Sequence, residues 1–273
     1  MNNAIRYAVG ISQCIDSSHM ITYEYPLNDT ARICLRLESL FSRTLDNLES
    51  PSEIASRNIL SSLLEILNVI DRPDLKSKLT QTLTQYNTAL TGLQQNPNIE
   101  QQTLFEVTRE INIAMQMLRQ MHGRIGDNLR KNQFLNTIKM QLNNPGGACD
   151  YSTPAFALWL TQDVFSRKQQ VLKWFTEFQE LKTISELTLR LIRESATWEI
   201  CQSESGFYQQ KLDFQSSHQM LRVRIPVDFQ AIPEFSVGKH RFSMRMLNPN
   251  FKTDGQPTQC SDNVDFEVMV CKI

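Results

Sequence analysis

Side chains able to hold an anion recur at strand spacing towards the C-terminus. From Lys239 to Leu247, a period of two puts Lys239, Arg241 and Arg245 on one face, and from Leu221 onward it puts Arg222 and Arg224 on one face of their own. If these strands pair with those faces aligned, a basic strip results. Arginine suits such a strip, because its planar guanidinium donates two parallel hydrogen bonds to a carboxylate. Apolar neighbours would supply the rest of the binding energy. A plainer arrangement, which the pattern alone slightly favours, has Arg241 and Arg245 pair with Asp265 and Glu267 across the sheet and form an ordinary solvated face. Nucleic acid is the alternative partner for the strip. Against it, 28 basic and 29 acidic side chains leave a formal net charge of -1, and aromatics such as Phe242 fall on the opposite face.

Other chemistries lack their residues. A phosphate-binding loop wants glycines between a strand and a helix, so that backbone N–H groups can approach the phosphates. Asn144-Pro145-Gly146-Gly147 instead follows a helical stretch and has no downstream Gly-Lys-Ser/Thr, which reads as a structural turn. His19, His122, His218 and His240 are isolated rather than at ligand spacing. The six cysteines (Cys14, Cys34, Cys149, Cys201, Cys260 and Cys271) form no CxxC pair and fit reduced thiols. None lies in a recognisable nucleophile motif, so no catalytic residue, cofactor or metal is expected.

The elements that must position the basic residues follow from periodicity. Between Asp29 and about Ala196, apolar residues recur every three or four positions: Ile33, Leu37, Leu40, Phe41, Leu45 and Leu48, then Leu60, Leu63, Leu64, Leu67 and Ile70. A third helix carries Leu75, Leu79, Leu83, Tyr86, Leu90 and Leu93, with Pro73 expected to open it. Asn98 and Gln101 resemble a capping box before the stripe Leu104, Val107, Ile111, Met115 and Leu118. Further helices are expected from Asp127 to Asn143, around Pro154 to Leu160, from Ser166 to Gln179, and from Lys182 to Ser195.

Past Trp198 the period drops to two. Leu221, Val223, Ile225 and Val227 alternate with polar residues, as do Phe242, Met244 and Met246, then Val264, Phe266, Val268 and Val270. Asn248-Pro249-Asn250 and Asp254-Gly255 supply a turn. One polar face per strand indicates an antiparallel sheet with a wet side. Ile21 to Tyr25 has strand character as well, so an N-terminal strand can add to that sheet. The expected fold class is α+β: a helical domain over 29–198, and a β-sheet domain from 21–28 and 199–273. Residues 1–20 read as a poorly ordered extension, with Met20 an alternative start. No apolar run approaches the roughly 20 residues that span a bilayer.

Several short segments resemble the ZapD family of cell division proteins in order and spacing from about Ile21 to the C-terminus. They are Tyr25-Pro26-Leu27-Asn28, Leu35-Arg36-Leu37-Glu38, Asn144-Pro145-Gly146-Gly147 with Cys149, Leu191-Ile192-Arg193 with Ser195-Ala196, Gly206-Phe207-Tyr208-Gln209, and Gly238-Lys239-His240-Arg241-Phe242. The resemblance implies a cytoplasmic, mid-cell, homodimeric adaptor that binds the acidic, partly apolar C-terminal tail of FtsZ and bundles FtsZ filaments. It also implies that basic residues contact the tail: Arg241 and Arg245, with Arg222 and Lys239 nearby, and on the helical domain Arg36 and Arg72, with Arg130 a weaker counterpart. Arg36 has a second reading, a structural pair with Glu38 or a neighbour. Gln133 and Ala157 stand where related chains can carry basic or titratable side chains, which puts a second contact surface on the helices in doubt.

Overall fold

The computed structural model describes residues 19–94, 100–142, 152–213, 215–251 and 255–273. They form helices followed by antiparallel sheets, an α+β fold. The Pro-Gly-Gly turn and the extension at 1–18 lie outside them. Two compact units result, and the chain passes between them within its first and last helices.

The helical unit runs through α1 (Asp29–Leu48), α2 (Glu53–Val69), α3 (Leu75–Gly92), α4 (Gln101–Gln120), α5 (Asp127–Lys131), α6 (Gln133–Leu142), α7 (Pro154–Leu160), α8 (Val164–Phe175) and α9 (Gln179–Glu194). The stripes expected from sequence are its core: Leu37 and Phe41, Leu60, Leu63 and Leu67, Leu79 and Leu83, Ile111 and Leu118 are all buried. Phe134, Trp159 and Trp174 add an aromatic cluster, with Phe134 and Trp174 stacked at 5.9 Å between centroids.

Helix ends depart from expectation where polar side chains intervene. The helix expected from Asp127 to Asn143 breaks at Asn132, whose backbone is extended and whose Oδ1 accepts the Leu135 N–H at 3.1 Å, starting a second helix. α4 begins at Gln101, with Glu100 as its cap, so Gln101 cannot be the third residue of a capping box; Asn98 lies outside the described residues. α3 begins at Leu75 after the cap Asp74, so Pro73 precedes the helix rather than opening it. α8 starts two residues early, because the Asp163 carboxylate accepts the Ser166 N–H at 2.9 Å.

The other unit holds two antiparallel sheets. One has the order β1 (Met20–Pro26), β4 (His218–Pro226), β8 (Val264–Lys272), β2 (Glu199–Ser203); the other has β3 (Phe207–Lys211), β6 (Arg241–Asn248), β5 (Ile232–Val237), with β7 (Thr258–Gln259) also on β6. The N-terminal strand does join, against β4. Leu221, Val223 and Ile225 of β4, Phe242, Met244 and Met246 of β6, and Val264, Phe266 and Val268 of β8 share one buried cluster. The sheets therefore form a sandwich around the alternating apolar residues. β2 and β3 are joined by the turn Ser205-Gly206, both with positive φ (48° and 70°), as a two-residue hairpin requires. Past the bridge from Glu204 to Phe207 the two strands part, β2 to pair with β8 and β3 to pair with β6.

This topology corrects the basic strip. β4 and β6 belong to different sheets whose apolar faces point at each other, so Arg222 and Arg224 lie on one outer surface and Arg241 and Arg245 on the opposite one. The plainer pairing with Asp265 and Glu267 fails for the same reason, since β8 is in the other sheet. Lys239 is not on the strand. It sits in the turn from Gly238 to Arg241, closed by the Gly238 N–H donating to the Arg241 carbonyl at 2.9 Å.

Candidate functional site: the outer face of the β3-β6-β5 sheet

Register arranges this face in rows. On the β3 side, Lys211 is opposite Arg241, Gln209 opposite Ser243 and Phe207 opposite Arg245. On the β5 side, Glu234 is opposite Arg245 and Ser236 opposite Ser243. Moving along β6, the first row is Lys211 and Arg241 beside the Gly238 turn, the second is Gln209, Ser243 and Ser236, and the third is Phe207, Arg245 and Glu234. A fourth row sets Leu247 between Ile232 of β5 and Gln259 of β7.

Hydrogen bonding fixes how close these side chains stand. The Met246 N–H donates to the Gly206 carbonyl and the Leu212 N–H to the His240 carbonyl, so even-numbered residues of β3 carry the ladder to β6. Lys211–Arg241, Gln209–Ser243 and Phe207–Arg245 are thus the non-hydrogen-bonded pairs, whose side chains approach most closely. The N–H and C=O groups of Gln209 and Lys211 point away from β6, along the outer edge of the sheet.

The charges on the face are unequally compensated. Arg245 forms an ion pair with Glu234, both about half exposed. Arg241, Lys211 and Lys239 are exposed and have no acidic partner among the described residues. The acid nearest in sequence, Asp213, binds its own loop instead, accepting from the Gln215 N–H at 3.0 Å and the Ser216 hydroxyl at 2.8 Å. Phe207 is 41% exposed beside Arg245, so an aromatic does share this face, although Phe242 is buried beneath it. Ile232 also lines a groove of about 600 Å³ together with Tyr23, Ile225, Val227 and Phe251 and the amides of Gln230, Asn248 and Asn250, with no charged side chain in its walls.

The remaining predicted residues are placed elsewhere. Arg222 donates to Glu24 at 2.8 Å, as does Arg193 through Nε at 2.8 Å and Nη2 at 2.7 Å. Burial works to raise the Glu24 carboxyl, but hydrogen bonds and charge from Arg193 and Arg222 outweigh it and hold the group below its ordinary value. Arg222 and Arg224 also stack on Trp198, at 5.1 and 4.0 Å from its ring centre, and Arg224 pairs with Glu267 at 3.3 Å. Arg222 is therefore built into its own sheet, on the face away from Arg241. Arg130 is likewise committed: its Nη2 donates to the Leu67 carbonyl at 2.9 Å, near the C-terminal end of α2. Arg36 is exposed on α1 and Arg72 is exposed in the link from α2 to α3, both outside the sheet unit. Gln133 is exposed at the start of α6, and Ala157 is half-buried on α7. Lys211 escaped the sequence reading because β3 is short and its alternation, Phe-Tyr-Gln-Gln-Lys, carries no apolar stripe.

Comparison with known proteins covers both units. The family model for ZapD, described as a cell division protein, matches residues 35–245. The cell division protein ZapD of Coxiella burnetii (strain RSA 493) is 39% identical over 253 residues, covering 93% of this chain and 98% of the relative. Those of Methylococcus capsulatus and Nitrosomonas eutropha are 33% and 32% identical, with 93% of this chain covered in each case. The chain belongs to the ZapD family of cell division proteins.

Proposed function

We propose that the outer face of the β3-β6-β5 sheet binds the acidic C-terminal tail of FtsZ, and that a homodimer of this chain tethers two FtsZ filaments and so bundles them at mid-cell. The observation that carries the reading is the gradient on that face. Uncompensated Arg241 and Lys239 stand at one end, Arg245 is held only by a solvent-exposed ion pair, and Phe207 and Leu247 lie towards the other end, where Ile232 lines an uncharged groove. An exposed pair contributes at most about 1 kcal/mol, so Arg245 can exchange Glu234 for a carboxylate of the tail at little loss. A tail with acidic and apolar residues finds both halves of its chemistry within three rows. In this reading the helical domain, 29–198, supplies rigidity and the dimer contact, the sheet domain, 21–28 and 199–273, supplies recognition, and Arg36 and Arg72 add a second contact. Modest affinity at each site suffices, because the second contact of a dimer on a filament bundle is intramolecular.

The test is calorimetric titration of a synthetic FtsZ tail peptide into the protein, with and without the double substitution Arg241→Glu and Arg245→Glu, each checked by circular dichroism. Binding is expected to disappear in the folded double variant. Undiminished binding would move the site to the helical domain near Arg36 and Arg72. A nucleic-acid partner would instead show a steep salt dependence and indifference to removal of the tail's apolar residues.

A further inference from the structure

Lys211 and Arg241 face each other at the closest kind of cross-strand position, and the pair repels. Like charges directly opposite on a sheet destabilise it, and among the described residues no acidic side chain pairs with either. On the other side of Arg241 the sheet offers Gly238, which has no side chain, and the next row holds only Gln209, Ser243 and Ser236. Glu234, the acid on this face, is two rows away and engaged by Arg245. Lys239 adds a further positive charge from the adjoining turn. The molecule thus holds an electrostatically unfavourable corner on an otherwise well-packed sheet, above the fully buried Phe242.

We propose that Lys211 and Arg241 together form the carboxylate-binding end of the site, with Lys239 widening it, and that an acidic side chain of the bound peptide sits between them and removes their repulsion. This rests on the acidic-peptide reading above and deepens it by fixing the peptide's polarity: acidic residues at the Gly238 turn, apolar residues towards Leu247. Arg241 brings the planar two-donor fork and Lys211 a mobile point charge, so one carboxylate can be met from both strands. Lys211 is a contact and specificity residue that strand spacing in β6 alone would not show.

The proposal predicts opposite signs for two measurements on one variant. In Lys211→Gln the repulsion is gone, so at low protein concentration Tm should rise by about 1–2 °C. The same variant should bind the tail peptide about five-fold more weakly, with the difference shrinking at high salt. Arg245→Gln serves as the reference, since it breaks an attractive pair and should weaken binding without raising Tm. Weaker binding together with a raised Tm supports the inference. Unchanged binding in Lys211→Gln alongside weakened binding in Arg245→Gln would overturn it while leaving the proposed function intact, and so would a lowered Tm, which would make Lys211 structural. If the unaltered protein does not bind the peptide at all, the proposed function falls and this inference with it.

Discussion

An arginine's role in this chain is decided by what stands opposite it. Arg222 and Arg245 occupy equivalent positions in the sequence pattern, yet Arg222 and Arg193 converge on a Glu24 carboxylate that is 17% exposed, whereas Arg245 meets a Glu234 that is 50% exposed. Removing the first interaction should therefore be felt by the fold, and removing the second by binding. Glu24→Ala is expected to destabilise the sheet unit by roughly 1.5–3 kcal/mol in urea denaturation, because the charge-assisted hydrogen bonds that Arg193 and Arg222 donate to the buried carboxylate are lost. The sign with pH follows from the lowered carboxyl: its contribution is fully present above its ordinary value of 4.5 and is lost as pH falls through the lower folded value, so the variant should show a flatter acid-unfolding profile than the unaltered protein. The sequence displayed the basic residues of β4 but not their partner, since Glu24 lies 198 positions from Arg222 and only the pairing of β1 with β4 brings them together.

At the scale of elements, the helices were legible because each buries a stripe long enough to count, and the breaks were not, because they depend on single polar side chains such as Asn132 and Asp163. The sheet unit was legible as alternation only in its central strands β4, β6 and β8. β2, β3 and β5 contribute few inward apolar residues and show no run of their own, so the division into two sheets stayed hidden, and with it the separation of Arg222 from Arg241. That division depends on the hairpin at Ser205-Gly206. A Cβ on Gly206 would stand 2.5 Å from the Cys260 carbonyl oxygen at a φ of 70°, so Gly206→Ala should destabilise the sheet unit by at least about 2 kcal/mol and weaken peptide binding along with it. In the helical unit, buried Arg167 donates to the Pro51 carbonyl and the Ser56 hydroxyl, each at 3.1 Å, clasping the link between α1 and α2 to α8. Arg167→Lys, a point charge without the fork, should not restore the roughly 2 kcal/mol that Arg167→Ala loses, as thermal denaturation of the pair would show.

At the scale of the whole molecule, membership of the ZapD family places the chain in cell division, and no helix among the described residues is long and apolar enough to cross a membrane. The proposed bundling activity needs two working sites in one assembly. Mixed dimers with one Arg241→Glu, Arg245→Glu subunit should co-sediment with FtsZ filaments yet fail to raise light scattering, which separates tail binding from tethering. The outward-facing backbone of β3 carries a further consequence for such an assembly. The outward N–H and C=O groups of Gln209 and Lys211 have no backbone partner among the described residues and run along a sheet edge, the kind of template on which a second copy can zip up strand to strand. Lys211 places a positive charge on that edge, so two copies approaching edge to edge meet with like charges. In the proposed assembly, the lysine assigned to the tail would also keep crowded copies from pairing through their own sheets, and neutralising it should make concentrated solutions slowly gather thioflavin-positive aggregates.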